Sequence, residues 1–342
     1  MLNSLRDVAE FKTDGERFLS ATHEEIRCGF TTDVYFINTR DVLASVGRLD
    51  AEVAAEVFAR DSGVFAGVGE VLELLKGRPL SIEALPEGDR FSPKETVLRI
   101  RGSYGEFGLF EAHLLGFLSS SSGWATAARR CVEAARGKPV LSFGARHVHP
   151  SVASVMDSVA IRAGGCAGAS SVLGAKLCGK EPSGTVPHAA VLILGDTLVL
   201  AKAYDAELPG HIGRIFLVDT FKDEAEETLR LAEALGKKLD AIRLDTPGER
   251  GGVTPDLVRE VRCRLNMGAF DHVKIVVSGG LTPSRIAELS ESGADVFGVG
   301  SFIAHAPPID MTMDIKEIEG RPVAKRGRLP GVLANPRLVR IK

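Results

Sequence analysis

From Pro139 onward, apolar runs alternate with helix-like stretches, and this alternation constrains the fold more than any other feature of the chain. The runs are PVLSFGAR, RIFLVDTF, DAIRLDTP, VKIVVSGG and ADVFGVGSF. Between them lie DEAEETLRLAEALGKKL, TPDLVREVRCRLNMG and TPSRIAELSESG, whose apolar residues recur at helical spacing. Strands that are apolar almost throughout, each returning through a helix, imply a parallel sheet covered on both faces. From Ile215 onward strand starts recur every ~20–30 residues, the length of one β-α unit. The preferred reading is an α/β fold with an irregular (β/α) barrel, and an open doubly wound sheet is the alternative.

The sequence before Phe110 has a different grain. TTDVYFINTRDVL is an apolar-polar mixture with a cap expected at Thr32, and DAEVAAEVFAR has helical spacing with Val53, Val57 and Phe58 on one face. GVFAGVGEVLELLKG, RPLSIEALPEGDRF and ETVLRIRGSYG read as short strands broken by glycine and proline. EAHLLGFLSSSSGWATAARRCVEAARG reads as a helix ending at Gly137. Near the end, DIKEIEG and RPVAKRG read as strands joined by a hairpin turn at Glu319-Gly320. The expected division is an N-terminal α/β sandwich domain over residues 1–115, the barrel over 116–306, and a segment 307–342 returning to the N-terminal domain.

Composition excludes several classes. The net charge is −3 with basic residues dispersed, so no nucleic-acid partner is expected. No run approaches the ~18 apolar residues of a membrane span. The five cysteines show no C-x-x-C spacing and the start MLNSLRDVAEF lacks an apolar signal core, so the expected setting is a reducing cytoplasm without a zinc site.

The chemistry gathers where strands end: Arg146 and His147, then Asp219, then Arg243 and Asp245, then Ser278-Gly279-Gly280, then Gly298 to Ser301. In a parallel barrel these positions share the C-terminal rim, where active sites form. Consecutive glycine turns there let backbone N–H groups approach a phosphate, so Ser278, Gly279, Gly280, Gly298, Gly300 and Ser301 are the expected phosphate ligands; simple tight turns are the bland alternative. Arg243 and Asp245 alternate and so share a strand face, suited to pyrophosphate and to ribose hydroxyls or magnesium, or else to a local ion pair. Phe143 offers a platform for a flat heterocycle, beside the Arg146 cation. His188 differs from the other histidines in preceding an apolar helical run after Gly184-Thr185.

These pieces, in this order, resemble the nicotinate phosphoribosyltransferases, type II phosphoribosyltransferases, and above all their shorter archaeal members. The resemblance rests on TTDVYF, GVFAGVGEVLELL, SFGARHVHP, GASSVLGA, PSGTVPH, VDTF, IRLDTP, VKIVVSGGL, FGVGSFIA and AKRGRLPG, which span nearly the whole chain. It implies transfer of a phosphoribosyl group from phosphoribosyl pyrophosphate to nicotinate, coupled to ATP, with magnesium accompanying pyrophosphate. It implies a homodimer or higher oligomer with shared sites, Tyr35 of one subunit stacking on the pyridine opposite Phe143 of the other. His188 falls on the family's phosphorylatable histidine, Arg146, Arg243 and Asp245 on its substrate-binding motifs, and Ser170 where nicotinamide-preferring relatives carry aspartate. Asp219 joins His188 and Asp245 in the expected catalytic set. RLDTPGER lacks the second carboxylate of longer relatives, so no protein metal site is assigned.

Three other readings compete, one of them an aldolase or isomerase barrel, for which Lys274 begins a strand where a Schiff-base lysine should end one. A quinolinate phosphoribosyltransferase must neutralise two carboxylates, and its relatives do so with several Arg, Lys and His residues in motifs not found here. A non-catalytic barrel binding phosphosugars or nucleotides would keep the phosphate turns without needing Tyr35 or His188.

Overall fold

The computed structural model describes residues 1–13 and 15–342. One unit, residues 1–126 with 307–342, is built on an antiparallel sheet. Its strands are β1 (Glu52–Ala59), β3 (Ser81–Ala84), β5 (Thr96–Ser103), β12 (Met311–Ile318), β13 (Arg321–Pro322) and β14 (Val339–Arg340), in the order β13-β12-β1-β5-β3-β14. Two short strands, β2 (Gly63–Val64) and β4 (Arg90–Phe91), pair separately.

DAEVAAEVFAR is therefore strand β1 and not a helix. It lies between β5 and β12, so residues 53–57 are buried on both faces and no period-2 alternation marks them. GVFAGVGEVLELLKG also departs from expectation. Only its start is strand, and Val68–Leu74 is a helix that buries Val68, Val71 and Leu74. The expected cap at Thr32 is not one: Asp33 precedes the helix Val34–Ser45, and the Thr32 hydroxyl donates to the Leu109 carbonyl at 2.7 Å. The helix Glu111–Ala134 and the Glu319-Gly320 turn take the expected forms. In that turn both residues have positive φ, 50° and 74°, as a two-residue hairpin of the right twist requires.

The second unit, residues 127–306, holds six parallel strands. They are β6 (Val140–Ser142), β7 (Gly168–Ala169), β8 (Ile215–Leu217), β9 (Ala241–Leu244), β10 (Lys274–Val277) and β11 (Val296–Val299), in the order β7-β6-β11-β10-β9-β8. The helices between them are set by local sequence. Thr254 and Thr282 each accept a backbone N–H at N3, and Pro255 and Pro283 follow at the first helical position. Their buried faces, Val258, Val261 and Leu265 in one and Ile286 and Leu289 in the other, have helical spacing. The fold is α/β, a barrel-type parallel sheet preceded by an N-terminal domain. Among the described residues no helix is long and apolar enough to cross a membrane.

Candidate active site

Strand register assembles the site. Leu244 pairs with Val277, so the next residues, Asp245 and Ser278, emerge side by side, and the Ser278 hydroxyl donates to Asp245 Oδ1 at 2.6 Å. Val299 pairs with Ser142, and the Phe143 N–H then donates to the Val299 carbonyl at 2.8 Å. Ser142 pairs in turn with Ala169, and the Ser170 N–H reaches the Ser142 carbonyl at 2.9 Å. One cavity of about 320 Å³ collects these strand ends. Phe143, Arg146, Ser170, Arg243, Asp245, Ser278, Gly279, Gly280, Gly298, Gly300 and Ser301 all line it.

Arg243 is the hub. Its guanidinium donates to Ser278 Oγ at 2.7 Å, to Thr185 Oγ1 at 3.2 Å and to Asp245 Oδ2 at 3.3 Å, and it lies 5.3 Å from the centre of the Phe143 ring. Arg146 is different: it is exposed, and among the described residues no carboxylate pairs with it. Gly279 and Gly280 have φ of +88° and +58°, the left-handed region where glycine is favoured. Gly298 is glycine for another reason. A Cβ there would come within 2.5 Å of Phe143 Cδ2, so the aromatic ring occupies the space a side chain would take.

His188 and Asp219 lie beside the cavity rather than in its lining. His188 begins the helix His188–Leu194, and its Nε2 is 3.1 Å from Asp219 Oδ2. Burial raises the Asp219 pKa above the usual carboxylate range; His188 opposes that rise and the nearby Asp245 charge adds to it. The other oxygen, Oδ1, is buried without a hydrogen-bond partner among the described residues. Tyr35 sits in the helix Val34–Ser45 of the other unit, 55% exposed, its ring against Phe36, and does not line the cavity.

Sequence reasoning misses three residues and underrates a fourth. Gly184 and Thr185 line the cavity although the pattern PSGTVPH points only to His188, and His147, placed with Arg146 at a strand end but given no role, lines it too. Burial, then the Arg146 and His305 charges, lower the His147 pKa. Asp157, fully buried, bonds Ser142 and Ser171 and carries no sequence motif at all.

The chain matches the family model for the quinolinate phosphoribosyl transferase N-terminal domain over residues 33–122 and that for the C-terminal domain over residues 124–314. The crystal structure of nicotinate-nucleotide pyrophosphorylase from Pyrococcus furiosus is 47% identical, with 93% of this chain and 82% of that one covered and a TM-score of 0.87. A probable nicotinate-nucleotide pyrophosphorylase (carboxylating) from Methanothermobacter thermautotrophicus is 25% identical over 275 residues, covering 78% of this chain and 90% of that protein. A nicotinate phosphoribosyltransferase of Mycobacterium tuberculosis is 30% identical over 340 residues, covering 87% of this chain and 74% of that protein. The expectation of an ATP-coupled nicotinate phosphoribosyltransferase is corrected by these matches: the family models span both halves, and the 47% relative bears the pyrophosphorylase name. With domain models matched in order along residues 33–122 and 124–314, the chain belongs to the quinolinate phosphoribosyl transferase family.

Proposed function

We propose that this protein is a quinolinate phosphoribosyltransferase, converting quinolinate and phosphoribosyl pyrophosphate into nicotinate mononucleotide, pyrophosphate and carbon dioxide. The observation that carries this reading is the pair of consecutive family matches, with the strand ends of the second lining one cavity. The 47% relative named as a nicotinate-nucleotide pyrophosphorylase supports it.

The pyridine nitrogen attacks the ribose anomeric carbon as pyrophosphate leaves, and no protein nucleophile is required. The 2-carboxylate then departs as carbon dioxide. The electron pair left on C2, beside the quaternised nitrogen, takes a proton. The protein's tasks are to align ring and ribose and to stabilise the departing pyrophosphate.

Phe143 supplies a flat wall for the pyridine. Arg146, which no carboxylate among the described residues pairs with, takes one acid group of the substrate, while the Ser170 hydroxyl donates to the other. Arg243, preoriented by Ser278 and Thr185, faces phosphate charge together with the turns at Gly279-Gly280 and Gly298 to Ser301. His188 orients Asp219, a role that needs no phosphorylation. Magnesium, when bound with pyrophosphate, would be held by Asp245, the carboxylate that lines the cavity, and would neutralise pyrophosphate charge. The proposal includes a homodimer in which the exposed Tyr35 completes the partner's site.

The test is to incubate the purified protein with phosphoribosyl pyrophosphate and either quinolinate or nicotinate, following nicotinate mononucleotide and carbon dioxide. Equimolar release of both products from quinolinate is expected. Transfer to nicotinate alone, without carbon dioxide release, would overturn the proposal.

A further inference from the structure

A carboxylate lies buried behind the cavity wall, and among the described residues no cation balances it. Asp157, on the helix Pro150–Arg162, is 0% exposed, and among the described residues no Lys, Arg or His pairs with it. A buried charge without a counter-ion is costly unless hydrogen bonds hold it, and a residue needed only to fill volume would be apolar. Asp157 has two such bonds. The Ser142 hydroxyl donates to Oδ1 at 2.6 Å, and the Ser171 backbone N–H donates to Oδ2 at 3.3 Å.

Those two partners stand immediately next to the two residues that face the pyridine. Ser142 ends β6 and is followed by Phe143, while Ser171 follows Ser170 and precedes the helix Val172–Leu177. Neither bond touches the elements carrying Arg243, Asp245 or the turn at Gly279-Gly280. The packing around the carboxylate leaves no slack: a Cβ added at Gly174 would come within 2.6 Å of Asp157 Cβ and 2.5 Å of Ser171 Oγ.

We infer that Asp157 is a positioning residue for the acceptor, tying the Phe143 wall to the Ser170 wall so that the gap between them fits one pyridine ring. This rests on the assignment of Phe143 and Ser170 to the pyridine given above. The inference separates the two substrates at Arg243 and the Gly279-Gly280 turn, which are held by other bonds, although β6 also pairs with the β11 strand that leads into the Gly298 turn.

The experiment compares wild type with Asp157→Asn and Ser142→Ala, varying phosphoribosyl pyrophosphate and whichever pyridine the wild type turns over, quinolinate or nicotinate. A wrong acceptor assignment shows in the wild type, whereas a wrong role for Asp157 shows only in the variants. In Asp157→Asn the single amide oxygen can accept from only one of the Ser142 hydroxyl and the Ser171 N–H, and the NH2 faces the other. The KM for the pyridine should rise on the order of 10-fold, while that for phosphoribosyl pyrophosphate stays within about 2-fold. Ser142→Ala should move the same KM in the same direction, and the double variant should be less than additive. Equal loss toward both substrates, or a lowered Tm with both KM values unchanged, would mean a merely structural carboxylate and overturn the inference. Absence of turnover with either pyridine in the wild type would overturn it together with the proposed function.

Discussion

His188 Nε2 lies 3.1 Å from Asp219 Oδ2, joining a partly exposed imidazole to a carboxylate that is 1% exposed. Burial pushes the Asp219 pKa up, and the histidine is the first influence opposing it. Removing the imidazole removes the largest influence opposing burial and the Asp245 charge, so the carboxyl holds its proton to higher pH. If turnover needs ionised Asp219, the acid limb of the kcat/KM profile of His188→Ala should move toward higher pH. The loss should then be larger at pH 6 than at pH 8. An acid limb in the same place as wild type would count against the pairing as a functional one.

Arg243 makes three side-chain bonds in different directions, to Ser278, Thr185 and Asp245, which an ammonium group at the end of a lysine cannot reproduce. Arg243→Lys keeps the charge and loses the fork. Activity should fall on the order of 10²-fold, seen mainly in kcat/KM for phosphoribosyl pyrophosphate. A variant with near wild-type kcat/KM would show that charge alone suffices.

The parallel half of the fold is legible in the sequence because its signals are local and redundant. Each strand is an apolar run, and Thr254-Pro255 and Thr282-Pro283 announce the helices that follow. The cavity lining is legible for the same reason, since a polar residue after an apolar strand has few structural explanations. β1 is not legible. Glu56 reads as the polar side of a helix, yet it is 1% exposed inside the sheet, where the Arg99 Nε donates to it at 2.9 Å across from β5. A partner more than forty residues away decides that position. The glycine turn places Gly298 in the cavity but for an incomplete reason, because its contact with Phe143 depends on the β6-β11 register. The acceptor is misread because Arg146 and Ser170, proposed to meet it, do not reveal in the sequence how many carboxylates they would face.

Tyr35 is exposed on one unit while the remaining site residues lie on the other, and the proposed dimer brings it to a partner's cavity. Tyr35→Ala and Asp245→Ala chains should each be nearly inactive alone. Mixed under conditions where subunits exchange, they should recover part of the wild-type rate, since one hybrid site in each heterodimer is intact. Demonstrated exchange without recovered activity would place both residues in the same site of one chain.

Glu111 gives a prediction about stability. Burial first, then the Asp314 charge, pushes its pKa from 4.5 up to about 7, with Lys325 opposing. The folded protein therefore binds this proton more tightly than the unfolded chain, and its contribution is fully present below pH 4.5 and lost as pH rises through about 7. Glu111→Gln cannot ionise. It should melt at a higher temperature than wild type at pH 8, with the difference shrinking toward pH 4.5. A Tm difference independent of pH would rule out ionisation of Glu111 as its source.

The last prediction concerns Gly298 and Phe143. The backbone at Gly298 is not in the left-handed region, so alanine meets no left-handed strain there, and the cost of Gly298→Ala is steric. The new methyl would press on the Phe143 ring, whose Cδ2 stands 2.5 Å from the point a Cβ would occupy. Overpacking of this kind costs about 1–3 kcal/mol. Because the ring lines the cavity, its displacement should also raise the pyridine KM more than the KM for phosphoribosyl pyrophosphate. Phe143→Ala removes the obstacle, so adding Gly298→Ala to it should cost little further stability. Urea unfolding of the two single variants and the double variant closes the cycle. Costs that add within about 0.5 kcal/mol would show that the two residues do not meet, and that Gly298 is glycine for the sake of the phosphate alone.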